Sequence, residues 1–478
     1  MSKKVKVKLI PKERGHAFLK LFRKLSVALV LLVLVLGIAS ECFAAENVRV
    51  LLKQEFNSAQ FAVVQGEYQL IDSGTRLSVA TPLPGELWTV FREGLTVKAQ
   101  RDVDGAELSF TGDVILAAQG HREPVFRFAN NHYPGDLYFF GLNDRLLVVN
   151  AVHIEDYLCG VLAQEMAPSF PVEALKAQAV VSRTLASYRK SDSPYYDLTA
   201  ETNDQLYRGY GQGLPDERIR AAVDATSGEK IYYDGSLIEA VFHANAGGIT
   251  ASSEMIWGGK RPYLQPVESP YDAYALEYPI QSSGWPANAY EWSKAYSTTE
   301  LNNRIADWNR SRPAEAINVG NVLQLRPVTE QTTGGSLNRV MSLEIIGTGG
   351  TATVSGEKAR QIFDLKSSLF SVDGGTGYTL LSAGGLTQKS SFSNLAVVKA
   401  GGEITGLGAG TLTVKGRNHT ANLQPNIDGF IFAGKGFGHG VGMSQWGAIG
   451  MAAAGYNYQE IIQHYYNQGK FDGRLQIH

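Results

Sequence analysis

The residue best placed to do chemistry is a glutamate that ends an apolar stripe. In His153-Ile-Glu-Asp-Tyr-Leu-Cys-Gly-Val-Leu-Ala-Gln-Glu-Met166, residues Ile154, Leu158, Val161 and Glu165 are spaced four, three and four apart. A helix over this segment puts all four on one face. A carboxylate continuing such a face is partly removed from water, and at the carboxyl end of its helix it feels the negative end of the backbone dipole; both effects raise its pKa. An ordinary Glu, with pKa ~4.3, is protonated in about one molecule in 500 at pH 7, whereas a rise of ~2 units brings that to roughly one in six. The second value suits a general acid. The same spacing also suits a structural carboxylate paired with a cation.

A second helical pattern runs from Pro171 to Tyr188, with Pro168 interrupting between the two and Pro171 preorganised for a first turn. Its small and apolar residues predict burial, so Lys176, Gln178 and Arg183 need partners there. Lys176 and Arg183 share a face at a seven-residue spacing. They can close an internal salt bridge, or they can orient a substrate or Glu165.

Near the carboxyl end, Gly434, Gly436, Gly438, Gly440 and Gly442 fall at every second position. As a strand this run has one face without side chains, open to another backbone or a sugar ring, with Lys435, Phe437, His439 and Val441 on the other face. A sharp bend is the alternative. A helix of small residues follows from Met443 to Ala454. The glycine spacing does not fit a dinucleotide fingerprint, and Gly442-Met-Ser444-Gln-Trp-Gly447 has one residue too many for a hydrolase nucleophile elbow, so Ser444 is assigned no nucleophilic role. His243 closes a predicted strand just before Gly247-Gly248, where it can reach a cleft or serve as a structural histidine; His464 reads as structural, and no histidine pair has metal-motif spacing.

These residues must be positioned by an α+β fold. Short alternating runs between Val48 and Val149, such as Ala106 to Phe110, predict a β-rich region over 45–145. The buried helix pair opens a mixed core over 146–478. Within it Asp234-Gly235 predicts a hairpin turn, Thr298 to Trp308 a helix, and glycine-rich strands return from Val340, with a β-rich insertion at about 374–428 ahead of the carboxyl-terminal helices. Residues 1–44 read as an export leader: nine Lys and Arg residues precede an apolar run from Leu25 to Ile38. Cys42 and Ala44 fit cleavage after Ala44, and an uncleaved membrane anchor is the alternative. Either way the bulk is expected outside, in the cell envelope or beyond.

Without the leader, 35 Lys+Arg stand against 44 Asp+Glu, a net charge of −9. No basic block survives past Lys24, which argues against nucleic acid as a partner and leaves membrane contact to the leader alone. Cys159 is then the one cysteine, so neither an intrachain disulfide framework nor a cysteine-rich zinc site is available.

Four blocks carry a family resemblance: Glu155 to Met166 running into Ala174-Leu-Lys-Ala-Gln-Ala179 and Arg183-Thr184; Gln205-Leu-Tyr207; Gly247-Gly248 to Pro262-Tyr263; and Gly436-Phe-Gly-His-Gly-Val-Gly-Met-Ser-Gln-Trp-Gly-Ala448. Here the sequence resembles the stage II sporulation protein D and amidase-enhancer family of bacterial envelope proteins, over roughly Leu146 to Lys470. The resemblance implies that Glu165 is the acid of a lytic transglycosylase, which cleaves between N-acetylmuramic acid and N-acetylglucosamine with formation of a 1,6-anhydro ring, preferably in peptidoglycan glycan strands stripped of stem peptides. The sugar's own 6-hydroxyl attacks, so a second catalytic carboxylate is unnecessary. Lys176, Gln178, Arg183, Gln205, His243, His439, Ser444 and Gln445 are the expected substrate-binding residues, with Arg183, His243, His439 and Gln445 also candidates to support Glu165. Some members of the family bind zinc through cysteine and histidine, but the block around His243 has no cysteine; no metal or other cofactor is expected. The family also permits a different class of role, a non-catalytic glycan-binding module that stimulates a peptidoglycan amidase as partner.

Overall fold

The computed structural model describes residues 46–278, 290–329, 339–381 and 426–478, apart from 56, 95, 121–123 and 144, and adds short strands between 387 and 423. The leader at 1–44 lies outside the described residues.

Alternating burial builds the amino-terminal half. Leu87–Glu93 and Thr96–Arg101 bury every second residue, as half-buried strands do. Such strands assemble into a seven-stranded and a six-stranded sheet. The sheets face each other across aromatic contacts, Phe61 with Phe139 at 5.7 Å between ring centroids and Tyr68 with Phe126 at 6.3 Å. Leu146 to Val149 belongs to the longer strand Arg145–His153, which is buried on both sides over most of its length and runs straight into the first helix.

That helix, α1 (Ile154–Glu165), starts on the side chain of His153, which accepts from the Glu155 amide, and ends at Met166 in extended conformation. Glycine in a helix interior costs about 1 kcal/mol relative to alanine. Gly160 has a reason to be there, since a Cβ at that position would lie 2.6 Å from the Tyr207 ring and 2.7 Å from the Gly209 carbonyl oxygen. Tyr207 in turn donates to the Asn150 side chain at 2.9 Å, which ties this crossing back to the first sheet. The second helix, α2 (Val172–Tyr188), buries most of its residues, as its small side chains predict. A short α3 (Glu217–Asp224) packs beside both.

Beyond the helix pair, Tyr232 and Tyr233 pair with Leu237 and Ser236, so Asp234-Gly235 is the expected hairpin turn. The predicted strand that His243 closes is broken: only Ser236–Leu237 and Phe242–His243 pair, the latter with Met443–Ser444. A five-residue α4 (Ser253–Trp257) follows. The helix expected near Thr298 is α5 (Thr298–Ser311), opened by a reciprocal Ser297–Glu300 capping box. It packs with strands Val322–Thr329, Val340–Gly347 and Asn426–Lys435 and with α6 (Gly356–Ile362) around a separate apolar cluster that includes Trp308, Leu343, Phe363 and Phe432. Strands Phe370–Leu381 and Asn426–Lys435 pair antiparallel, with short strands between them in the chain. The last helices are α7 (Gln445–Ala453) and α8 (Tyr458–Asn467). The architecture is α+β.

Candidate active site

Glu165 sits where α1 stops, half-buried in the wall of a cleft of about 640 Å³. Leu185, Arg189, Asp204, Gln205, Trp257, Glu357, Arg360, Phe437, His243, His439 and Gln445 are among the other residues that line it. Burial pushes the Glu165 carboxyl above its ordinary range, opposed by a hydrogen bond from Gln445. The Gln445 amide donates to Glu165 Oε2 at 3.1 Å and to the Glu165 carbonyl at 3.3 Å, so it fixes both the side chain and the helix end. No cation pairs with this carboxylate among the described residues, so the structural alternative of an ion-paired glutamate does not apply here.

Gln445 is held by the residue before it. Ser444 caps α7, accepting from the Gly447 amide, and donates to Asp272 Oδ1 at 2.5 Å. Asp272 is fully buried, and its other oxygen accepts from the Gly248 amide at 3.0 Å. Burial pushes its carboxyl up to about 6 against the hydrogen bonds from Ser444, Gly248, Ser269 and Ala246. This cluster locks the Gly247-Gly248 bend to the start of α7, directly under Gln445. Asp272 was invisible to spacing arguments; its one signal is a carboxylate inside the apolar, aromatic run Pro270-Tyr-Asp-Ala-Tyr-Ala-Leu276.

The glycine run resolves to bends. Gly434 lies in the strand Asn426–Lys435, but Gly436, Gly438, Gly440 and Gly442 all have positive φ. What approaches so closely is backbone: a Cβ on Gly442 would lie 2.0 Å from the Val241 carbonyl oxygen, and one on Gly438 2.8 Å from the Cβ of His243. The run therefore lies against 241–247 and presents His439 beside His243, with ring centroids 5.5 Å apart. Val441 sorts the two rings. Its carbonyl, which can only accept, lies 3.0 Å from His243 Nδ1, and its amide donates to His439 Nδ1 at 3.0 Å. His243 thus carries its proton on Nδ1, and its buried Nε2 has no hydrogen-bond partner among the described residues. Burial holds the His243 ring well below the usual histidine range, and burial followed by Arg360 holds His439 down to about 3. Among the described residues no three His, Cys, Asp or Glu side chains are placed to hold a metal ion, and Cys159 is buried in α1, so the family's zinc ligand set is not matched here.

Of the expected site residues, the fold brings Glu165, Gln205, His243, His439 and Gln445 to one cleft. Gln205 also donates to the Ser182 carbonyl at 3.1 Å. Lys176, Gln178, Arg183 and Ser444 are corrections, because the fold gives each a partner elsewhere. Arg183 is buried and grips Glu155 through Nε at 3.0 and 3.2 Å and Nη2 at 2.5 Å. Lys176 pairs with Glu173 at 2.8 Å and lies over the Tyr458 ring. Gln178 donates to Ser182 inside the core. Ser444 is buried and bonded to Asp272 and the Gly447 amide, outside the cleft lining.

Sequence reasoning missed other residues that line the cleft. Trp257 from α4 is exposed, with its ring 5.1 Å from that of His439. Arg360 on α6 is gripped by Glu357, Nε to both carboxylate oxygens at 2.9 and 3.0 Å. Arg189 caps the end of α2 and donates to the Asn203 carbonyl at 2.7 Å. An i,i+3 Glu–Arg pair on a short helix is common on any surface, so nothing in the spacing tied it to Glu165.

A family model described as Stage II sporulation protein matches residues 142–233, and one described as a domain of unknown function matches 251–385. The first spans Glu165; the second contributes Trp257, Glu357 and Arg360. An uncharacterized protein of Brachyspira hyodysenteriae is 31% identical over 340 residues, covering 70% of this chain and 71% of its own length. The amidase enhancer of Bacillus subtilis is 27% identical over 309 residues, 65% of this chain but only 39% of its own length. Stage II sporulation protein D of Bacillus subtilis is 24% identical over 390 residues, 78% of this chain and 85% of its own. With the four sequence blocks, these matches establish that the chain belongs to the stage II sporulation protein D and amidase-enhancer family.

Proposed function

We propose that this protein is a lytic transglycosylase that cuts peptidoglycan glycan between N-acetylmuramic acid and N-acetylglucosamine, with Glu165 as acid and then base. The observation that carries this reading is the environment of Glu165: a carboxyl raised by burial, at a helix end, facing a cleft, with a neutral amide as its partner. The other two cleft carboxylates are engaged, Asp204 with the amide and hydroxyl of Thr199 and Glu357 with Arg360. A hydrolase of the two-carboxylate kind needs a second free acid; a substrate that supplies its own nucleophile does not. Protonated Glu165 gives its proton to the glycosidic oxygen as the C1–O bond breaks. The resulting carboxylate takes the proton of the C6 hydroxyl as O6 bonds to C1, leaving an anhydro end and a free 4-hydroxyl. Trp257 and Phe437 offer the apolar faces on which a pyranose ring can rest.

The basic start and the apolar run Leu25 to Ile38 support export, with this chemistry taking place outside the membrane. Incubating the purified full-length chain with peptide-free glycan strands and reading the products by mass spectrometry tests the reading. Anhydro-ended sugars are expected from the wild type and none from Glu165→Gln. The similarity to an amidase enhancer supports a second reading, in which the cleft binds glycan without cutting it. That reading wins if the wild type yields no anhydro sugars yet accelerates a peptidoglycan amidase.

A further inference from the structure

The amino-terminal sheets carry a second cavity, of about 500 Å³, that shares no lining residue with the cleft of Glu165. It opens where one strand outlasts its neighbour. Strand Ser58–Gln65 pairs from Ser58 to Ala62 with Leu87–Glu93 on one side, but on its other side the pairing with Val125–Phe128 begins only at Phe61. There the chain turns at Ala129-Asn130 and returns as Asn131–Pro134, paired with Val125–Phe128. Ser58, Ala59 and Gln60 therefore have a strand partner on one side only, and all three line the cavity. A strand edge left unpaired in this way is a template for another extended chain.

The side chains at this notch are short of partners too. Most described arginines close on a carboxylate or a carbonyl, as Arg49 does on Asp197 and Arg218 on the Phe170 carbonyl. Arg127 lines the cavity, is exposed, and makes no hydrogen bond or ion pair among the described residues. Its cross-strand neighbours are Ala62, which has nothing to offer a guanidinium, and His132. The side chains of Ser58 and Asn130 are equally unengaged. Ala129 holds φ at 52°, in the left-handed region that a side chain disfavours, so the hairpin tip keeps a conformation its own sequence resists.

These features select a ligand class. An uncompensated guanidinium suits an anion, and a carboxylate fits its fork. An open strand edge suits peptide N–H and C=O groups rather than sugar hydroxyls. Phe61 and Phe128, the aromatic residues that line the cavity, are 1% and 5% exposed, so neither offers a face on which a pyranose ring can rest. A short extended peptide with a free carboxylate meets all three conditions, and peptidoglycan carries such chains as its stems.

We propose that this notch is a stem-peptide site: an extended peptide adds to the open edge at Ser58, Ala59 and Gln60, with its carboxylate held by Arg127 and Asn130. The proposal rests on peptidoglycan being the ligand of this protein, but not on the cleft of Glu165 being catalytic. The two sites take different parts of one polymer, glycan at Glu165 and peptide at Arg127. A chain whose cleft takes stripped glycan is thereby held on wall that still carries stems nearby.

The test measures binding to the purified full-length chain by calorimetry. The probes are the stem tetrapeptide L-Ala-γ-D-Glu-meso-diaminopimelate-D-Ala, the same peptide with its carboxylates converted to primary amides, the same peptide methylated on its backbone nitrogens, and an all-L tetrapeptide of equal charge. The acid form of the stem should bind about tenfold tighter than the amidated form, as expected for one charge-assisted contact. Backbone methylation, which removes the N–H donors an open edge needs, should also weaken binding. Arg127→Gln should bring acid and amide together without moving the melting curve, because the side chain has no partner in the folded chain; Arg127→Lys should keep part of the preference. Equal binding of acid and amidated stem overturns the proposal, as do a methylated peptide that binds like its parent, an Arg127→Gln chain that keeps the full preference, and no binding of any probe. An all-L peptide that binds as well as the stem overturns the assignment to peptidoglycan. If the wild type makes no anhydro sugars while stem binding persists, the transglycosylase reading falls and this site stands; if anhydro sugars form and the stem is not bound, this site alone falls.

Discussion

Glu155 and Glu165 stand near the two ends of α1 and meet opposite surroundings. Glu155, in the first turn, is buried against the Arg183 guanidinium and also accepts from the Ser227 hydroxyl and the Gly228 amide. Glu165, in the last turn, has one amide as its partner and a cleft in front of it. The first charge is compensated from every side and belongs to the fold. The second is left short of compensation, so burial raises its carboxyl above the ordinary range. Asp272 lies between these extremes, fully buried with neutral donors only.

Breaking each member in turn tests that ordering. Glu165→Gln is nearly isosteric and should cut anhydro-sugar formation by about two to four orders of magnitude, the range for losing a general acid; its melting curve should stay close to wild type. Arg183→Met strands Glu155 as a buried, unpaired charge and should destabilise the protein by about 3–5 kcal/mol in urea titrations. Glu155→Gln combined with Arg183→Met should recover part of that loss, which a catalytic role for Arg183 would not explain.

Asp272 makes a pH prediction. Its folded pKa of about 6 lies above the ordinary value near 3.8, so the native state holds the proton more tightly than the unfolded chain does. Its contribution is therefore fully present below about pH 4 and lost as pH rises to about 6, a change of about 3 kcal/mol. Asp272→Asn should flatten the fall in urea stability across that interval; an unchanged slope would show that another group is responsible. The smallest effect is expected from Gln445→Ala. Its hydrogen bond opposes the rise at Glu165, so losing it should raise that pKa further and move the alkaline limb of the pH–rate profile to higher pH.

Local features were legible in the sequence because local physics determines them. The α1 stripe, the proline-led α2, the Asp234-Gly235 turn and the helix near Thr298 each depend on residues within a few positions of one another. So did the suspicion about Glu165, which needed only a helix face and a helix end. What supports Glu165 depends on encounters far along the chain: Gln445 is 280 residues away, and Ser444 meets Asp272 across 172. Arg183 shows the same limit in reverse. Its burial followed from α2's composition, but whether its partner was Glu155 or a substrate could be settled only by the fold.

The Val441 peptide has a consequence for proton traffic in the cleft. Its carbonyl and amide assign the His243 and His439 tautomers, and the surroundings keep both imidazoles uncharged through neutral pH. Two residues that would ordinarily buffer the cavity near pH 6.5 are thereby silenced. A ligand entering at physiological pH meets two rings that serve as fixed dipoles, beside a glutamate whose carboxyl burial holds above its ordinary range.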